Sequence, residues 1–380
     1  MLLPGVALVV VLAAAEEGSC GGLSGLFSRE GAATLTVPPR VRAREALPDT
    51  HHDGVPEALP GASADFPAVF RYRGEAAADA AGRALRALVD ERSEGAFVVR
   101  GLTRGSSEDF ARVVGASGLP LREYIGGVTS RPEVAPFVTV ISTERNDLSM
   151  EPHNDNPYWR SPPTHLVIYV ERPPAAGGQA LLCDGTKVLR ALNETRPRLV
   201  ASLVARGVRY EHSYPDGAAG AGGIVSWQDA FQTNDTASTE RKLRAAGYAY
   251  EWRGRSLRTW EVAPAVASHP KTGAPCWFNM ITAMHCSVFD THPDYVELNR
   301  PPAGATEPCA LRGRMPYHTA FGDGEAFDAA DVRAIREAQW AHSVAFDYAA
   351  GDVVVVDNYL AMHGRFSFAP PRDLFLTMVG

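Results

Sequence analysis

Two histidines and one aspartate in this chain have the types and the spacing to hold a redox-active metal. His153 and Asp155 lie in Glu151-Pro-His-Asn-Asp-Asn-Pro-Tyr158. His363 follows about 210 residues later, in Gly351-Asp-Val-Val-Val-Val-Asp-Asn-Tyr-Leu-Ala-Met-His-Gly-Arg365. Two neutral imidazoles and one carboxylate on one face of Fe(II) offset part of its charge. They leave three coordination positions open, which is what activation of O2 requires. Arg372 lies nine positions beyond His363. Its planar guanidinium is suited to gripping a carboxylate through two charge-assisted bonds.

These residues need particular elements to bring them together. Residues i and i+2 of an extended strand point to the same side, so an extended segment lets His153 and Asp155 reach one ion. His363 must come from a distant strand folded back beside them, as a β-barrel provides. Val353-Val-Val-Val356 reads as a short, β-branched, buried strand between the turn signals Gly351-Asp352 and Asp357-Asn358. That puts His363 at the end of an apolar strand. An H-x-D tripeptide alone is more often a solvated loop. The strand, the second His, Gly-Arg and a further Arg make the combined pattern far more specific.

Several segments in this order resemble the Fe(II)/2-oxoglutarate-dependent dioxygenases of the taurine dioxygenase (TauD/TfdA) superfamily, nearest in pattern to the clavaminate synthase-like branch. They are Gly95-Ala-Phe-Val-Val-Arg-Gly-Leu102, the H-x-D, Arg172-Pro-Pro-Ala-Ala-Gly-Gly-Gln179, Trp277-Phe-Asn279, Phe321-Gly-Asp-Gly324 and the Gly351 to Arg372 run. The resemblance covers about Gly95 to Gly380. It implies a double-stranded β-helix (jelly-roll, cupin-like) core, mainly β with flanking helices. It also implies Fe(II) on His153, Asp155 and His363, the catalytic centre, with 2-oxoglutarate and O2 as co-substrates. Arg372 would hold the distal carboxylate of 2-oxoglutarate, with Arg365 beside it or in a structural role. The implied reaction hydroxylates an unactivated C–H bond of a small polar metabolite and releases succinate and CO2. Desaturation and cyclisation are variants of that outcome. Halogenases of this group replace the carboxylate by a small residue, so Asp155 favours oxygenation. One departure stands out: relatives often place Thr after the Gly-Gly pair, and this chain has Ala180.

Weaker candidates surround this set. Tyr158 and Asn279 read as substrate-facing, as does Arg131, which lies where relatives place co-substrate or substrate groups. Trp159, Asn156 and His285 are further candidates, although a lone His is more often structural. Two other readings were weighed. One is a metal-binding pseudoenzyme or cupin-like sensor, supported only by Ala180. The other is a zinc hydrolase, which lacks an H-E-x-x-H glutamate and leaves Arg372 unexplained.

Composition agrees with an enzyme acting on a small molecule. The apolar fraction of 45% is ordinary for a globular protein. A net charge of −7 with no basic cluster interleaved with aromatics argues against a nucleic-acid-binding surface. The five cysteines form no C-x-x-C pair and read as reduced and partly buried. Residues 1–15 are apolar and end in small residues. They read either as a signal or targeting leader or as an irregular extension, and no stable membrane span is expected, since one takes about 20 apolar residues. Fe(II) chemistry favours a reducing compartment, cytoplasmic or organellar, with secretion the alternative. Residues 16–64, rich in Gly, Ala and Pro, read as mostly irregular, and 65–380 as the dioxygenase domain. Within it, helices are expected over 76–94, 107–115, 187–206 (broken near Pro197), 227–247 and 328–342. Strands are expected at 97–99, 137–141 and 166–170.

Overall fold

The computed structural model describes residues 27–30 and 66–380, except 75–76, 94, 104, 125–130, 218–224, 291, 294 and 296–314. The valine run forms the strand Val353–Asp357, buried throughout. Its alternation serves two cores. Val353 and Val355 pack with residues of the helices Ala78–Glu91 and Ser107–Ala116, whereas Val354 and Val356 pack with Ala180, Leu182 and Phe346. Each such side chain contributes roughly 1.5–3 kcal/mol of burial. Because both faces are covered, the run is continuously apolar rather than alternating.

This strand sits in a large sheet of order Phe27–Glu30, Ala68–Tyr72, Ala96–Arg100, Val353–Asp357, His165–Arg172, Asp373–Val379, Val138–Val140, Glu133–Ala135. A four-stranded sheet faces it, of order Ser343–Phe346, Ala180–Asp184, Ala361–Arg365, Met150–His153. The two enclose an apolar layer as a double-stranded β-helix, with helices outside. A third sheet, of order Ala249–Arg253, Ser256–Ala263, Val208–Tyr214, Tyr317–Phe321, stands beyond the metal segment. The helices Trp227–Phe231 and Thr236–Ala246 pack onto it.

The predicted helices form where their start signals lie. Ser106 accepts from the Asp109 amide ahead of Ser107–Ala116, and Pro197 opens a second helix after Gly185–Thr195. Two expectations need correction. The apolar strand does not carry His363: the chain turns after Asp357 and His363 lies on the next strand, Ala361–Arg365, in the opposite sheet. The 137–141 strand is shorter and only partly buried, because Phe137 takes a positive φ of 63° and breaks it. Within 16–64, Phe27–Glu30 is a strand paired with Ala68–Tyr72. The 1–15 leader lies outside the described residues. Among the described residues no helix is long and apolar enough to cross a membrane.

Candidate metal centre

His153 ends the strand Met150–His153 and pairs directly with His363 on Ala361–Arg365. Their rings lie 4.5 Å apart. Asp155 falls just past the strand end, yet the ligand atoms of His153, Asp155 and His363 all lie within 4.8 Å of one another, and all three residues are buried. A register shift follows His363 in this strand pair. Gly364 occupies it because a Cβ there would meet the Met150 carbonyl at 2.6 Å and wedge the two histidine strands apart.

Two of the three, His153 and Asp155, are held by neighbours that leave a coordinating atom available, whereas His363 Nδ1 has no hydrogen-bond partner among the described residues. His153 Nδ1 donates to the Glu151 carbonyl at 2.8 Å, which fixes the tautomer with Nε2 as the free lone pair. Glu151 is itself anchored by Arg336 of the helix Ala329–Ala341, Nε to Oε1 at 2.6 Å. Asp155 is clamped from two sides. The Asn358 side chain accepts from its amide at 2.8 Å and donates to its carbonyl at 2.9 Å. Arg131 grips both carboxylate oxygens, at 2.8 and 3.0 Å. Asn154 ties this segment on by donating to the Asn358 carbonyl and accepting from the Asn279 amide.

Electrostatics keep the set in ligating form. Burial opposes ionisation of Asp155, but Arg131 and then His363 outweigh it and hold the carboxyl well below its usual range. Burial holds His153 below its usual value, and it takes His363, with His153 beside it, down to about 3. Neutral imidazoles and an ionised carboxylate are the donor set Fe(II) takes.

A narrow cavity of about 30 Å³ runs from His153, His363 and Arg131 between the two sheets to Arg365 and Arg372. Both arginines at that end lie over the Phe368 ring, their guanidinium carbons 5.0 and 4.9 Å from its centre. Arg365 donates to the Arg145 and Leu148 carbonyls, but among the described residues its Nε and Nη1 have no hydrogen-bond partner, nor does Arg372 Nε. Burial, and then Arg372, push Arg365 down to about 10. Buried cations without an anion are costly, and a small dicarboxylate reaching from the metal fits this end. Ala180 lines the same wall, and its missing hydroxyl leaves Ser142 and Tyr348 as the hydroxyl-bearing residues there.

Not every predicted residue joins this set. Asn279 is fully buried and its side chain is committed to the backbone of Ala265 and Ile281, so it positions the metal segment rather than facing a substrate. Tyr158 is buried away from the cavity, bonded to Asn156 and packed on Tyr210 and His212. Arg131 does line the cavity, where it braces Asp155. His285 caps the turn Cys286–Phe289 instead. With Cys286 and His318 it forms a second cluster of metal-ligand types, but Cys286 is disulfide-bonded, which corrects the expectation of reduced cysteines and removes that thiolate as a ligand. Cys183 and Cys276 are free and buried, as expected. The sequence reading missed Asn358, Arg336 and Tyr348. Asn358 carried the clearest signal, an amide directly after a buried strand that ends beside the second histidine.

Comparison with known proteins places this geometry. Residues 57–378 match the family "Taurine catabolism dioxygenase TauD, TfdA family". The dapdiamide synthesis protein DdaC of Enterobacter agglomerans is 26% identical over 75% of this chain and 82% of its own length. A clavaminate synthase-like protein of Arabidopsis thaliana is 26% identical over 75% of this chain and 81% of its own. Among solved structures, PvcB from Pseudomonas aeruginosa aligns with a TM-score of 0.45 at 14% identity, over 85% of this chain and 90% of that one.

Proposed function

Since the chain belongs to the TauD, TfdA family of dioxygenases and is a 2-oxoglutarate-dependent non-heme iron enzyme, we propose that it hydroxylates an unactivated C–H bond of a small polar metabolite. Succinate and CO2 are the co-products. The observation that carries the reading is a single cavity with the His153, Asp155 and His363 set at one end and the buried guanidinium groups of Arg365 and Arg372 at the other.

Each residue then has a role. His153, Asp155 and His363 hold Fe(II). Arg372, with Arg365 beside it, receives the distal carboxylate of 2-oxoglutarate. With O2 as the oxidant, Fe(II) and 2-oxoglutarate held there would supply the C–H oxidation, one oxygen atom going to succinate and the other to the substrate. The protein orients the reactants and keeps water out. Arg131 fixes the Asp155 carboxylate and adds positive charge to the wall. Three guanidinium groups face one metal-binding carboxylate in this cavity, an imbalance that favours an acidic substrate.

Arg372→Ala tests the reading. Hydrogen bonds to a charged group contribute about 1.5–3 kcal/mol, so the concentration of 2-oxoglutarate that half-saturates succinate formation should rise about 10- to 200-fold. Unchanged 2-oxoglutarate dependence would contradict the assignment.

A further inference from the structure

The third sheet holds a second cluster of buried titratable side chains. Its register sets Tyr210 opposite Glu261 and His212 opposite Thr259, so His212 and Glu261 share one face. His212 is 1% exposed, and among the described residues neither ring nitrogen has a hydrogen-bond partner. The Glu261 side chain is 8% exposed, and neither carboxyl oxygen has one. Nδ1 of His212 stands 3.8 Å from Oε1 of Glu261, beyond hydrogen-bond range.

The other face of the same sheet is treated differently. Glu211 is paired there with Arg209 and Arg258, and Glu251 with Arg258 and Arg253. Among the described residues, the inward Glu261 has no Lys or Arg paired with it. Its surroundings are aromatic instead. The Tyr158 ring lies 5.1 Å from His212, and His212 lies 5.9 Å from the Tyr214 ring. The Glu261 charge also bears on Tyr158, Tyr214 and Tyr248. An acceptor-rich pair among aromatic faces is complementary to an organic cation.

This cluster adjoins the metal segment. Tyr158 lies three residues beyond Asp155 and bonds Asn156. It also feels Tyr124, whose ring lies beneath the Arg131 guanidinium at 4.6 Å. Tyr124 and Tyr158 thus couple the surroundings of Arg131 electrostatically to Glu261.

We propose that Glu261 and His212 form the substrate subsite for a primary ammonium group, and that the substrate is an amino acid whose acidic end lies toward Arg131. This rests on the oxygenase reading of the metal centre. The ammonium donates to the Glu261 carboxylate and to a neutral His212 nitrogen, satisfying the atoms that now lack partners. Burial pushes the Glu261 carboxyl well up when it stands alone, and a bound cation reverses that preference.

The test uses the full-length protein loaded anaerobically with Fe(II) and 2-oxoglutarate. Binding of a panel of α-amino and ω-amino acids, each paired with its N-acetyl derivative, is followed by calorimetry. At least one free amine should bind tenfold or more tighter than its acetylated partner, and Glu261→Gln should erase that preference. The subsite is overturned if no free amine outperforms its partner, or if Glu261→Gln keeps the preference; a buried water then completes the pair. The Fe(II)–2-oxoglutarate absorption band in the same samples separates the two readings. A normal band with no amine preference sinks only the subsite, whereas a missing band sinks the oxygenase reading beneath it.

Discussion

The metal segment and the third sheet bury polar groups in opposite ways. Around His153 and Asp155 the amides of Asn154, Asn279 and Asn358 are bonded and the carboxylate is held twice. Around His212 and Glu261 four buried polar atoms have no hydrogen-bond partner among the described residues. The first region holds His153 and Asp155 in place before a metal arrives, whereas His363 Nδ1 has no hydrogen-bond partner among the described residues. The second keeps its donors and acceptors unsatisfied, which a fold sustains where a ligand completes them. Rigid positioning and ligand reading thus fall on different sheets, with Tyr158 between them.

The largest expected effect breaks the first region. Arg131→Met leaves Asp155 buried and unpaired, and removing one partner of a buried pair costs about 3–5 kcal/mol. Urea unfolding of the metal-free protein should show that loss. Mn(II) should recover much of it by giving the carboxylate a new cation. An equal loss with and without Mn(II) would mean that Asp155 does not ligate. Next comes Asn358→Ala, which frees the backbone beside Asp155. An anaerobic Fe(II) titration should show affinity lower by about 10- to 100-fold, the usual result of losing a group that orients a metal ligand. Wild-type affinity would show that Arg131 alone suffices to hold it.

The third sheet should answer in the opposite direction. Burial raises the Glu261 carboxyl in the folded state. Its contribution to stability is therefore fully present below the unfolded value of about 4.3 and is lost as pH rises toward the folded one. Glu261→Gln removes that loss, so the variant should gain on wild type between pH 4 and pH 8, by about 1–3 kcal/mol at the upper end. Urea midpoints across that range give the answer. A variant that is less stable at pH 8 would show that the carboxylate is already satisfied. Stability gained with amine preference lost is the trade expected of a binding residue.

The sequence exposed the first region far better than the second. His153, Asp155 and His363 were legible because metal ligands must be particular residue types at particular separations. The valine run was legible because burial on both faces leaves no polar position. Asn279 misled because an amide near a site reads the same whether it faces a ligand or the backbone. Asn358 and Arg131 act through partners about 200 and 24 residues away, and their pairing appears only when the strands are in register. His212 was visible but unassigned. The alternation in Val208-Arg-Tyr-Glu-His-Ser-Tyr214 marks a strand, but which of its faces is buried, and against what, depends on Tyr158 and the strand Ser256–Ala263.

The central claim is that His153, Asp155 and His363 hold iron in a cavity that also binds 2-oxoglutarate. Anaerobic absorption spectroscopy tests it most directly: the apoprotein is titrated with Fe(II) and then with 2-oxoglutarate. A visible charge-transfer band should appear on the second addition and be absent in His153→Ala. Iron binding without a band, or a band that survives His153→Ala, would contradict it.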